Sequence, residues 1–333
     1  MQFEENWNLI DFYGHTIDFS CKTRVKNSEV NVTTTTKKST QKKISNQNTT
    51  RNDLAEALCF DDGVLDLRSK RLFHEAHYKG STNMTLDRIK IMRCLLPPPG
   101  SKLALISDSK SNDLELAKKE LQMYGYSITW SGMFEDAGNL NLLVRNDSSS
   151  RQLWKPSPLL AIALPIIESR VENHRKLCFL DVGAGAGRDL IFSARRGWAS
   201  IGVDHLPSHC TRFRKILSIL NLHEKLDCNY LNIDVIKHPE SLPHADVIHI
   251  GRFLHRPLLL HIRDHVLSPG GYFLMHTFME GCEKFGTPKK SKFMLKHNEL
   301  FHTFHKGWTI LMNEVRPISD GRPLSYFIAV KDK

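Results

Sequence analysis

From residue 157 to residue 333, apolar and polar positions follow two rhythms in turn. Helical spacing runs over 157–172 (SPLLAIALPIIESRVE), with Ser157 placed to cap the first turn and Pro158 inside it. Short apolar, β-rich runs at 177–182, 199–204, 226–232, 244–250 and 270–277 predict strands. Helical patterns at 187–197, 207–220 and 255–267 fall between them. A helix near 297–304 and two strands, 307–314 and 323–331, follow. This alternation predicts an α/β fold, a mostly parallel sheet with helices on both faces. The stretch RPISDGRP (316–323) reads as a hairpin-like turn, so the sheet is expected to end in an antiparallel pair.

Upstream the pattern changes. A first folded unit is expected over 53–148 and a second over 150–333, with the turn-rich RNDSSSRQ (145–152) at the junction. Two folded units suit a chain of 333 residues. Residues 25–52 hold Thr, Asn, Ser, Lys and Gln, with no aromatic and almost no large apolar side chain. Such a stretch buries too little surface to offset the cost of ordering its backbone, so a disordered arm is expected. Residues 1–24 are short and amphipathic, without an assignment.

Composition refines this. The hydrophobic share of 41% and charged share of 25% are those of a globular protein. The net charge is +10, and residues 21–50 hold seven basic side chains against one acid. Most of the excess therefore sits in the arm, which is either a solvated linker or a holder of anionic surfaces such as RNA or acidic lipid. The seven cysteines form no C-x-x-C pair, which points to reduced thiols in a cytosolic or nuclear setting. MQFEENWNLI does not resemble a signal peptide, and no apolar run approaches the ~18 residues of a membrane span.

The stretch CFLDVGAGAGRDL (178–190) is built for a nucleotide-like ligand: a strand, an acid, three alternating glycines, a helix. A phosphate-binding P-loop needs Gly-Lys-Ser/Thr after its glycines, whereas Arg188 and Asp189 follow Gly187. The dinucleotide fingerprint wants a third glycine where Arg188 stands. Asp204, closing IGVD, can accept from ribose hydroxyls under either reading. Asp181 discriminates: a carboxylate facing the ligand repels a pyrophosphate and suits an ammonium and a sulfonium. S-adenosylmethionine has both.

On these residues the chain resembles the class I S-adenosylmethionine-dependent methyltransferases over roughly 175–333. FLDVGAGAGRD looks like their first motif, GVD the second, NIDV (232–235) the third, ADVIHIGRFLH (245–255) the fourth, and LSPGGYFLMHTF (267–278) the strand after it. The resemblance implies a Rossmann-like seven-stranded sheet whose last strands are antiparallel. It implies that Gly183 and Gly185, with Asp181 nearby, flank the methionine part. Asp204 would hold the ribose, Asp234 and the Val235 backbone the adenine edge. Gly251 and Arg252 would face the transferable methyl. Gly187 reads equally well as a helix-packing residue, and Asp234 also as a strand-end acid.

The fourth motif reads Gly251-Arg252-Phe253-Leu254, not the Asn-Pro-Pro-Tyr type that hydrogen-bonds a planar amino group, which disfavours adenine N6 or a glutamine amide as acceptor. In more detail the region resembles the tellurite-resistance-type and thiopurine-type methyltransferases, which implies a small, soft, often anionic acceptor. A thiolate or oxyanion needs cations, and Arg252, Arg256, Lys289, Lys290 and Lys292 are available. A hydroxyl or amine acceptor needs a base, for which His255 and His276 are candidates. His249, within an apolar strand, reads as a core histidine, and no metal site is expected. LWKPSPLL (153–160) is either a flap over the site or a plain helix entry.

GVLDLRSKRLFHEAHYKGSTNM (63–84) and KLALISDSKSNDLELAKKELQMYGYSITWSGMFED (102–136) resemble a rhodanese-like domain over about 55–140. That family's nucleophilic cysteine should begin the loop after ALIS, where Asp108 stands. A carboxylate cannot accept sulfane sulfur as a thiolate does, so the resemblance implies a catalytically inactive domain. Three functional readings remain open: methyl transfer to a small thiol- or oxyanion-type molecule, methyl transfer to RNA or protein recruited by the arm, and a non-catalytic scaffold.

Overall fold

The computed structural model describes Leu54, 56–58, 61–108, 112–137, 140–171 and 175–333. The expected arm at 25–52, the segment 1–24 and residues 109–111 of the Asp108 loop lie outside these residues. The chain forms two compact units. One holds the described residues up to Asn83 with Leu103–Leu114 and Ile128–Arg151; the other holds Met84–Lys102, Glu115–Ser127 and Gln152–Lys333.

The first unit is a small α/β structure. Its elements are β1 (Gly63–Asp66), α1 (Lys70–Glu75), β2 (Ala76–Tyr78), β3 (Ser81–Asn83), β4 (Lys102–Ser107), β5 (Ser127–Met133) and β6 (Leu143–Arg145). The four-stranded sheet has the order β3-β1-β4-β5, with β1 parallel to β3 and β4. Strands β2 and β6 form a separate antiparallel pair. The Asp-x-Arg-Ser sequence is a structural clasp at the exit of β1. Arg68 Nη2 donates to Asp66 Oδ2 (2.7 Å) and to Ala76 O (2.8 Å), tying β1 to β2. The guanidinium lies 3.5 Å from the centre of the Phe134 ring, and Ser69 Oγ caps α1 by accepting from Leu72 N.

Helices α2 (Leu86–Met92) and α3 (Asp113–Met123) precede the larger sheet in sequence. Its strands are β7 (Cys178–Val182), β8 (Ala199–Asp204), β9 (Cys228–Asn232), β10 (Ala245–Gly251), β11 (Leu267–Phe278), β12 (Trp308–Pro317) and β13 (Pro323–Lys331). The helices are α4 (Pro158–Glu168), α5 (Arg188–Arg195), α6 (Pro207–Ile219), α7 (Arg256–His261) and α8 (Glu299–Phe304). The order is β12-β13-β11-β10-β7-β8-β9. Strands β7 to β11 pair in parallel, while β13 runs antiparallel to both β11 and β12. This is the Rossmann-like seven-stranded methyltransferase sheet expected from the sequence. Phe179, Ile248, Phe273 and Phe327 are fully buried along its central strands.

Several boundaries differ from expectation. Helix α7 stops at His261 and continues as a π-helical turn, Ile262–Val266, so β11 begins at Leu267 rather than 270. The cause is a bulge: Ala245 pairs with Leu267 but Val247 with Tyr272, which loops out the Ser-Pro-Gly-Gly segment. Helix α4 ends at Glu168, where Ser169 Oγ turns back to donate to Ile166 O. The stretch 153–157 is a helix entry, with Trp154 packed edge-on against Phe192 of α5.

Candidate functional site

The glycine loop leaves β7 at the C-terminal edge of the parallel strands, where ligands of open α/β sheets bind. Gly183 (φ 78), Gly185 (φ 57) and Gly187 (φ 78) all adopt the left-handed region. Three amides fold back onto β8. Those of Gly183 and Ala184 donate to Val203 O at 2.8 and 3.1 Å, and that of Gly185 to Asp204 Oδ2 at 3.2 Å. A phosphate cradle points such amides at its ligand, so this loop is not one. A Cβ on Gly187 would lie 2.3 Å from Phe213 Cδ2, so this glycine lets the loop close onto α6. A Cβ on Gly185 would meet nothing within 4 Å, leaving open space over the loop.

Asp204 stands at the end of β8 with both oxygens engaged. Leu206 N donates to Oδ1 at 2.9 Å, and His209 Nδ1 lies 3.0 Å from Oδ2. Burial alone would raise its pKa, but these partners outweigh it and hold the carboxyl below the usual range. Asp204 is therefore ionised at neutral pH, next to the loop. Tyr230 Oη donates to Gly185 O at 2.6 Å and braces the loop from β9. Asp234 is half-buried and accepts from Ile236 N (3.2 Å) while Lys237 Nζ lies 3.3 Å away, a turn-closing acid; Val235 beside it is buried. Leu206 and Ile236, which sequence reading did not single out, expose apolar side chains two residues beyond these acids. Their signal is faint, since an exposed aliphatic residue in a loop is ordinary.

Asp181 points into the interior. Only 4% of it is exposed, and its Oδ1 accepts from His249 Nδ1 at 2.8 Å. His249 Nε2 reaches Ser157 Oγ at 3.3 Å. Ser157 N donates to Asp189 Oδ1 at 2.7 Å, and Arg188 Nε lies 3.3 Å from the same oxygen. The reading of His249 as a satisfied core histidine thus finds its partners, Asp181 and Ser157. The carboxylate of Asp181, expected to face the ligand directly, is instead shared with His249.

Gly251 ends β10 against the side chain of His276; a Cβ there would lie 3.0 Å from His276 Cε1. Arg252 follows with φ 57, held by its amide, which donates to His276 O at 2.8 Å. Its exposed guanidinium makes no side-chain hydrogen bond or ion pair among the described residues and lies 5.9 Å from the centre of the Phe278 ring. Burial, together with the charges of Arg188 and Arg322, pulls its pKa down. Arg322 lies 4.7 Å from the same ring but is spent on Asp320. His276 is buried, its pKa pushed down to about 3 by burial and the neighbouring cations, and its Nδ1 has no partner.

The structure thus gathers Gly183, Gly185, Asp204 and Tyr230 at the loop, and Gly251, Arg252 and His276 at the end of β10. Arg256 is not free to bind an acceptor: Glu299 takes its Nε and Nη2 at 2.6 and 2.9 Å, and Lys292 O and Met294 O the rest. His255 precedes α7 with its Nδ1 unpartnered. Lys289, Lys290 and Lys292 are exposed.

Residues 167–316 match the family model of the tellurite resistance protein TehB. No curated protein matches the sequence. Solved structures similar to the chain include TehB from Haemophilus influenzae, at 19% identity over 52% of this chain and 61% of that one, TM-score 0.42. An S-adenosylmethionine-dependent methyltransferase from Methanosarcina mazei matches at 18% identity, 50% of this chain and 97% of that one, TM-score 0.41. Magnesium protoporphyrin IX methyltransferase from Synechocystis matches at 11% identity, 52% and 78%, TM-score 0.41. The match to the H. influenzae protein spans less than two thirds of its length.

Proposed function

We propose that the second unit transfers the methyl group of S-adenosylmethionine to a small anionic acceptor. The fold and the family match support methyl transfer of this general kind. The site fits the cofactor on three counts. The loop amides of Gly183, Ala184 and Gly185 turn away from a ligand, which rules against phosphate. Asp204 is ionised and close by, with lone pairs left for ribose hydroxyls. The space over Gly185 is open, and Leu206 and Ile236 offer apolar surface for a base. When bound, the cofactor supplies an electrophilic methyl carbon on a positively charged sulfur.

The single observation that carries the acceptor class is Arg252. An unpaired guanidinium with two further arginines near enough to depress its pKa calls for an anion. Arg252 would hold the acceptor with its lone pair in line with the methyl carbon. The new bond forms as the carbon–sulfur bond breaks, and an acceptor already anionic has no proton to lose. That suits His276, whose pKa near 3 makes it a poor base. The chain's work is to position the acceptor and exclude water. For the first unit we propose a docking or shaping role, because Asp108 stands where the resembled family has its nucleophile.

Incubation with methyl-labelled cofactor and a panel of thiophenol, thiosalicylate, selenite, tellurite, phenol and aniline tests this. Label should pass to the thiols or oxyanions and depend on Arg252. Transfer to aniline or phenol alone would overturn the anionic reading.

A further inference from the structure

Ser157, His249 and Asp181 have the connectivity of a serine-hydrolase relay, yet each is at most 4% exposed, so no substrate reaches Ser157. The relay instead ties together the start of α4, the end of β7, β10 and, through Asp189, the start of α5. The glycine loop hangs between two of these, β7 and α5.

The ionisable groups facing His249 come from every element packed on it. Asp181 lies on β7, Arg188 and Asp189 on α5, and Ser157 offers only a hydroxyl from α4. His276 on β11 stands with its ring 5.3 Å away and is neutral above pH 3 or so; Arg252 beyond it is a cation. A protonated His249 leaves the inner set, Asp181, Asp189, Arg188 and His249, with no net charge. A neutral His249 leaves it at one negative charge. Hydrogen bonding satisfies both forms. In the neutral form Nδ1–H donates to Asp181, and Nε2 accepts from the Ser157 hydroxyl, whose oxygen accepts from Leu160 N at 3.4 Å. In the protonated form Nε2–H donates to Ser157 Oγ. Burial alone would lower the pKa of His249, but the bond to Asp181 outweighs it and raises it.

S-adenosylmethionine carries one net positive charge, from ammonium, carboxylate and sulfonium. Its demethylated product, S-adenosylhomocysteine, has lost the sulfonium and is neutral overall. We infer that His249 is a positioning residue whose proton exchanges against that charge: binding of S-adenosylmethionine releases one proton from the Asp181–His249 pair to solvent, and binding of the product does not. The pair thereby makes the preference for the charged donor over the spent one grow as pH rises through its titration. This inference rests on the methyl-transfer reading above.

Calorimetric titration of the full chain in two buffers of different ionisation enthalpy counts the protons directly. S-adenosylmethionine should release up to one proton, and its Kd should tighten with rising pH by up to about tenfold per pH unit across the titration of the pair. S-adenosylhomocysteine should release none and show a flat profile. His249→Gln should abolish the release while leaving the product's affinity within a fewfold, and Asp181→Asn, as a second variant, should abolish the release whatever its effect on affinity. Equal proton release by both ligands, or release that persists in the variants, overturns the inference while leaving the cofactor assignment intact. Binding of neither ligand overturns the methyl-transfer reading itself, and the inference with it.

Discussion

The amide of Arg252 donates to the carbonyl of His276 at 2.8 Å, and this bond holds Arg252 in the left-handed region at φ 57. A non-glycine residue pays about 1 kcal/mol for that conformation. The strain places an unpaired guanidinium at the end of β10. Backbone strain and function separate in the variant Arg252→Gly. It should raise the melting temperature by about 2–4 °C. Acceptor kcat/KM should fall by about tenfold to hundredfold, the worth of a hydrogen bond to a charged group. Cofactor affinity should not change. Loss of stability in that variant would show that Arg252 is a structural brace.

The glycines of the loop differ in what they do. A Cβ on Gly187 would strike Phe213, whereas one on Gly185 meets open space. Gly187→Ala should destabilise the second unit by about 2 kcal/mol or more, through clash and left-handed strain together. Gly185→Ala should cost only about 1 kcal/mol of strain. Urea unfolding of the two variants should rank them in that order, while cofactor titration should rank their binding defects in reverse.

Asp204 sets an acid limit. Its folded-state pKa is depressed, so its stabilisation is complete above the unfolded value, about 3.9, and is lost as pH falls through the folded value. Asp204→Asn should therefore be less stable than the parent at pH 7, with the gap closing below about pH 4. Urea midpoints across pH 3–7 read this. A gap that does not narrow would mean that the ionised carboxylate adds nothing to the fold.

In the first unit, Asp66 and Arg68 are both buried and paired at 2.7 Å. Arg68→Ala leaves Asp66 uncompensated and should cost about 3–5 kcal/mol. Replacing both with apolar residues should recover most of that loss. Hydrogen exchange at β1 and β4 checks it: protection should collapse in the single variant and return in the double.

Much of this was legible along the chain because it depends on local pattern. Strands β7 to β10 lie within two residues of their expected bounds, since alternation and punctuation by Gly and Pro are local signals. The β11 start was missed because the bulge depends on pairing with β10. The pair β2 and β6, about 65 residues apart, carries no local signature. Asp204 and the glycines could be found from spacing. The burial of Asp181 under His249 could not, because the two are 68 positions apart and joined only by the β7–β10 register. Arg256 looked available as a cation, and only the fold supplies Glu299 beside it.

The central claim is that the loop after β7 and Asp204 hold S-adenosylmethionine. Isothermal titration of the full chain with S-adenosylmethionine tests it most directly, with Asp204→Ala in parallel. The account predicts saturable binding at one site, weakened about tenfold or more by the substitution, the worth of a hydrogen bond to a charged group. Absence of binding, or binding that Asp204→Ala leaves unchanged, would contradict it.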